Sequence, residues 1–197
     1  MKWNRARRSI RLKGYDYSRS GHYFITVCTQ HRACLLSHID NGAMLLNDAG
    51  RMVENQWLVL PHRFPHIRLL QHVVMPNHLH GIIHCRGEPC VRPENHGMDE
   101  GLGVNHDKGE HKVRPYGTGL GSLGRVVQAF KSITTHDYIF GVRNEHWPAF
   151  EGKLWQRNYW EHIVRDEDDF QRISAYIRDN PACWVGDKLN PDQAFPF

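Results

Sequence analysis

Two apolar runs, 67–75 and 78–85, are separated only by Pro76 and Asn77. Little else in the chain leaves so few folds open. A gap of two residues with turn chemistry lets the chain reverse once, so the runs read as paired antiparallel strands. On the second run, His78-Leu79-His80 sets two imidazoles at i and i+2. Residues two apart on a strand share a face, so both imidazoles project together while Leu79 turns the other way. Two neutral imidazoles side by side can clamp a metal ion and leave positions for outside ligands. The same spacing also describes two surface histidines with no ligand, and spacing alone leaves both readings open. Gly81 is read as adding no bulk beside the pair.

Tyr23 to Thr29 is short, β-branched and aromatic, and reads as a strand. From about Asp48 to Leu60, Val53, Trp57 and Leu60 fall at i, i+4 and i+7, which predicts an amphipathic helix stopped by Pro61. Ser122 is placed to N-cap a helix running to about Tyr138, with Val126, Val127, Phe130 and Ile133 as its apolar stripe. Arg125 and Lys131 fall nearer its polar side. Leu154 to Val164 reads as a further strand. Asp166 and Asp169 then open a last helix with negative charge at its positive end. Phe170, Ile173 and Ile177 mark its buried stripe, and Pro181 ends it near Asn180.

The order β-α-β-β-α-β-α predicts an α+β fold. It suits a ferredoxin-like, RRM-like antiparallel sheet with helices on one face. The 197 residues suit one domain, read as 23–185, with a basic arm at 1–22 and a tail at 186–197. Within it, 87–121 is glycine-rich and has no hydrophobic period. It is too long for an ordinary connection and reads as a flexible insertion.

The net charge of +4 is unevenly placed: residues 1–23 carry +6 and the remainder −2. A basic arm of this kind suits a polyanion, although a solvated arm would look the same. Arg7, Arg8, Arg11 and Lys13 interleave with Tyr15 and Tyr17, a mixture of charge and stacking surface suited to single-stranded nucleic acid. Arg125, Lys131 and Arg157 are further candidates for DNA contact. With 40% hydrophobic and 23% charged residues, the chain is not expected to be disordered. No run of about 18 apolar residues exists to span a membrane. No apolar segment follows the basic N-terminus, so a cytoplasmic location is expected. Five irregularly spaced cysteines fit reduced thiols.

On the last helix, Tyr176 and Asn180 are four residues apart, so they share a face at roughly 40°. They could supply a nucleophile and a ligand, or simply a rim tyrosine and a helix cap. Glu161 and His162 are adjacent on a strand and should point to opposite faces, so they are not expected to act as one pair. Either could support the site. Asp166 reads as a cap, and His84 as a neighbour of the imidazole pair. No second Cys/His pair has zinc spacing beside His84-Cys85 and Cys90.

Taken together, four segments resemble one known family. His78-Leu79-His80 following Val73-Val74-Met75-Pro76-Asn77 resembles the His–hydrophobe–His (HUH) motif of the single-tyrosine transposases. Tyr176-Ile177-Arg178-Asp179-Asn180-Pro181 is similar to their nucleophile helix. Trp155-Gln156, Glu161-His162 and Arg165-Asp166 resemble a segment of one branch, the REP-associated tyrosine transposases, as does the strand Gly21 to Thr29. The resemblance implies an HUH endonuclease fold. It further implies a transposase whose Tyr176 attacks a phosphate of single-stranded DNA, forms a 5′-phosphotyrosine link and frees a 3′-hydroxyl. His78, His80 and Asn180 would hold Mg²⁺ or Mn²⁺, with Asn180 where related members have a longer Gln. The implied partner is REP-type hairpin DNA. The implied state is a monomer, with a homodimer as the alternative. Two other readings compete: a hairpin-binding protein without catalysis, and a metal phosphoesterase using water.

Overall fold

Residues along Gly21–Cys28 alternate strictly, and this strand (β1) becomes an inner strand of the sheet. Tyr23, Ile25 and Val27 are buried on one face, while Phe24 joins a separate apolar cluster on the other. The structure, a computed structural model, describes residues 19–41, 43–86 and 122–193. Arg7, Arg8, Arg11, Lys13 and the 87–121 insertion lie outside the described residues. After β1 come a short hairpin, β2 (Ser37–Asp40) and β3 (Ala43–Leu46), then α1 (Asp48–Leu58) and the single turn α2 (Leu60–Arg63). β4 (Ile67–Met75), β5 (His78–Cys85), α3 (Leu123–Asn144), β6 (Trp160–Val164) and α4 (Glu167–Asp179) follow.

The main sheet has the order β4-β5-β1-β6, and every neighbouring pair is antiparallel. The predicted α+β antiparallel architecture is therefore the observed one. α1 and α3 cover one face, burying Val53, Trp57, Val126 and Phe130 against Ile25, Leu79 and Ile83. α4 does not join them. Its Ile173 and Ile177 pack on the opposite face against Phe24 and Ile82, whereas the element order predicts every helix on one side. Both faces of β1 and β5 carry apolar residues, so each can bury a helix stripe.

Local differences have local causes. Pro61 does not stop a helix but starts one, in the first turn of α2, where a missing N–H costs nothing. α1 ends two residues earlier than expected and opens on Asn47, whose side chain accepts from Gly50 N at 2.8 Å. α3 continues six residues past Tyr138, because Tyr138 is buried and Gly141 packs under the Trp147 ring. Ser122 precedes α3 without a side-chain cap bond. The stripe of α3 runs through Thr134 rather than Ile133, and the Thr134 hydroxyl accepts from Trp155 Nε1 at 2.8 Å.

Only 160–164 of the predicted 154–164 strand is regular. The preceding stretch is a loop tied to the end of β1 through Gln156 N to Cys28 O at 2.9 Å. Gly81 faces away from the histidines. A side chain there would overlap the Trp57 ring, so its role is to seat α1. Among the described residues no helix is long and apolar enough to cross a membrane.

Candidate active site

His78 and His80 stand on β5, fully buried on the α4 face of the sheet. Their Nε2 atoms are 3.0 Å apart. Asn77, in the β4–β5 turn, orients the first. Its amide nitrogen donates to the carbonyls of Arg32 at 2.9 Å and Leu189 at 2.8 Å, so its oxygen must face His78 Nδ1, 2.8 Å away. An amide oxygen can only accept, which puts the proton of His78 on Nδ1 and a lone pair on Nε2. His80 Nδ1 lies 2.8 Å from the Thr26 hydroxyl on β1, its cross-strand partner. Burial drives His78 well below the ordinary imidazole range and pushes His80 down to about 3, so both rings are neutral at physiological pH.

α4 brings Tyr176 over this pair. Its Oη lies 3.3 Å from His80 Nε2, and its ring meets those of His80 and Phe24 edge-on. Burial raises the phenol above its usual pKa of 10, the nearby Asp187 charge adds to this, and a hydrogen bond with Asn180 opposes it. The stripe of α4 fixes this pose: with Ile173 and Ile177 on the sheet, Tyr176 can only lie at the edge of the contact. At its other end Asp166 caps the helix, accepting from Asp169 N at 2.8 Å. His162 Nε2 donates to Asp169 at 2.7 Å, which ties β6 to α4.

After α4 the chain turns back. Trp184 sets its ring 6.1 Å from that of His78, and Arg32 donates to the Lys188 carbonyl at 2.9 Å. The stretch 186–193, predicted as part of a tail, thus packs on the site and delivers Asp187. His78, His80 and Asp187 offer ligand atoms within 4.8 Å of one another. Asp187 Oδ1 accepts from Leu189 N, while Oδ2 and the buried Asn180 Oδ1 have no hydrogen-bond partner among the described residues. Two ligands about 2.1 Å from a shared ion at a right angle are themselves roughly 3.0 Å apart, which matches the imidazole spacing. Preset imidazoles with an unsatisfied carboxylate oxygen beside them fit a divalent cation.

Of the candidate residues named from the sequence, His78, His80 and Tyr176 converge, and Asn180 joins them through its hydrogen bond with Tyr176. Glu161 pairs in register with Ile25 and His162 with Phe24, so the two point to opposite faces as expected, and only His162 reaches the site side. His84 shares the imidazole face but stacks on His22, with ring centroids 4.6 Å apart. Arg125 is exposed on α3, on the far side of the sheet. Lys131 donates to the carbonyls of Gln156 and Asn158 at 2.9 and 3.0 Å, holding the loop before β6. Arg157 is exposed on that loop. Asp187, Asn77 and Thr26 are site residues that the sequence patterns miss. Asp187 lies where no periodicity exists to mark it, and only the Asp-x-Leu turn hints at a folded segment.

No protein-family model matches the chain. A solved structure described as the REP-associated tyrosine transposase bound to a REP hairpin aligns with a TM-score of 0.54 and 19% identity, over 90% of this chain and 76% of that one. At that identity the match speaks for the fold alone, which resembles that of the solved transposase. An uncharacterized protein of Haemophilus influenzae is 40% identical over 190 residues, 94% of each chain. Identity of that extent, from first strand to last helix, means that the chain belongs to one family with the Haemophilus influenzae protein.

Proposed function

We propose that the chain is a metal-dependent, single-tyrosine transposase that nicks and rejoins single-stranded DNA. The observation that carries this reading is the 3.3 Å approach of Tyr176 Oη to His80 Nε2, at the mouth of a cleft open to solvent. The substrate class we assign is the REP-type hairpin, the ligand of the protein whose fold this chain shares. His78 and His80, with oxygens of Asn180 and Asp187, would hold Mg²⁺ or Mn²⁺. An ion bound there supplies polarisation of the scissile phosphate and offsets charge on the leaving oxygen.

The protein's own groups do the rest. A phenol raised above pKa 10 is neutral at pH 7 and is a poor nucleophile until activated. As Tyr176 Oη bonds to phosphorus, the P–O3′ bond breaks. The phenolic proton leaves to solvent, which reaches the ring because Tyr176 is 46% exposed, and the departing 3′ oxygen takes up a proton. The 5′-phosphate stays on the tyrosine. Attack by a 3′-hydroxyl reverses the step, so strands rejoin without ATP. One chain supplies every group named here, which supports action as a monomer.

Tyr176→Phe is expected to abolish the covalent protein–DNA adduct on a denaturing gel with a labelled hairpin strand, while leaving binding intact. An adduct that persists rules out Tyr176. Cleaved strands with no linked protein would instead mark a phosphoesterase, and binding without cleavage in Mg²⁺ or Mn²⁺ would mark a hairpin-binding protein.

A further inference from the structure

Trp160 opens β6 with 59% of its surface exposed. That is a large apolar group to leave in water on an edge strand, and an exposed aromatic of this kind marks a contact surface when it lines a cleft. Register pairs Trp160 with Thr26, and Thr26 with His80, so the indole, the hydroxyl and the imidazole lie in one row across three strands. With neighbouring strands about 4.8 Å apart, the indole's strand position stands roughly 10 Å from that of His80.

A cleft of about 550 Å³ opens along this row. Its apolar lining comes from Phe24, Ile173 and Leu189, with Trp160 and Tyr176 in its walls and Arg172, paired with Asp169, contributing a guanidinium. That volume takes a nucleobase with its sugar. An indole face, an apolar lining and a guanidinium are the parts from which single-strand stacking sites are built. At its His78 end the pair is flanked by the Trp184 ring and by Asp187, with Leu189 lining the cleft. A base beside a phosphate held at Tyr176 therefore has its free space towards Trp160.

We infer that Trp160 is a stacking platform for the nucleobase flanking the scissile phosphate. This rests on the strand-transfer reading above and adds a residue to it. Every base has a π-face, so the platform sets affinity and strand position rather than base identity.

The test uses two labelled single strands of equal length in EDTA, oligothymidylate and a fully abasic deoxyribose-phosphate strand, with wild type, Trp160→Phe and Trp160→Ala. Trp160→Ala should weaken oligothymidylate binding about tenfold and leave abasic binding unchanged, with Trp160→Phe recovering most of the loss. Equal affinities of wild type and Trp160→Ala for oligothymidylate would overturn the inference. So would an equal loss for both strands, or a loss that Trp160→Phe shares in full. The adduct gel on wild type is read separately. Without an adduct the strand-transfer reading falls, whatever the binding ratios; with an adduct and flat ratios, only the platform falls.

Discussion

Asn77 holds three chain segments at once: its amide nitrogen ties Arg32 and Leu189, and its oxygen orients His78. Its backbone carbonyl also accepts from Thr29 N and the Thr29 hydroxyl, at 2.8 and 3.0 Å. From sequence it is simply a turn residue after proline. Groups that fix the tautomer of a ligand histidine commonly matter about 10- to 100-fold for metal affinity. Asn77→Ala should therefore lower Mn²⁺ affinity by about that factor in isothermal titration, with His78 and His80 still in place. An unchanged affinity would mean that the ring does not depend on this bond. Gly81 shows the opposite case. Its neighbourhood to the histidines in sequence suggests room for a ligand, but strand alternation turns it to the other face, beneath Trp57.

At the scale of elements, α4 decides where the phenol stands. Ile173 and Ile177 dock it on Phe24 and Ile82, and the His162–Asp169 contact anchors its first turn to β6. The hydrogen bond from His162 holds the Asp169 carboxyl at about 2, below its ordinary 3.8. A carboxyl depressed in the folded state contributes stability above its unfolded pKa and loses it as pH falls through the folded one. The contribution is thus whole above about pH 4 and gone near pH 2. Asp169→Asn should lower the melting temperature at pH 6, with the gap from wild type closing as pH approaches 2. A gap that stayed constant over that range would show that the charge does not anchor α4. The apolar stripe and the acidic cap of this helix are both legible in the sequence, because each is a local pattern.

Across the whole molecule, the site is assembled from β1, the β4–β5 turn with β5, α4, and the segment that folds back after it. Asp187→Ala should weaken Mn²⁺ binding in isothermal titration while the thermal unfolding profile stays close to wild type, since its carboxylate accepts one backbone bond and its other oxygen is buried without a partner among the described residues. Retained wild-type affinity would leave the cation to His78, His80 and Asn180. What the chain's order alone determined is what depends on near neighbours: the paired strands 67–75 and 78–85, the shared face of His78 and His80, the Asp166 cap, and the four-residue spacing of Tyr176 and Asn180. Helical periodicity says that a stripe will be buried, but it does not say on which face of a two-sided apolar sheet. Only the tertiary structure put α4 opposite α1 and α3, brought Asp187 back to the imidazoles and left Trp160 facing the cleft. Each of those outcomes is set by contacts between residues far apart in the chain, and no local pattern encodes them.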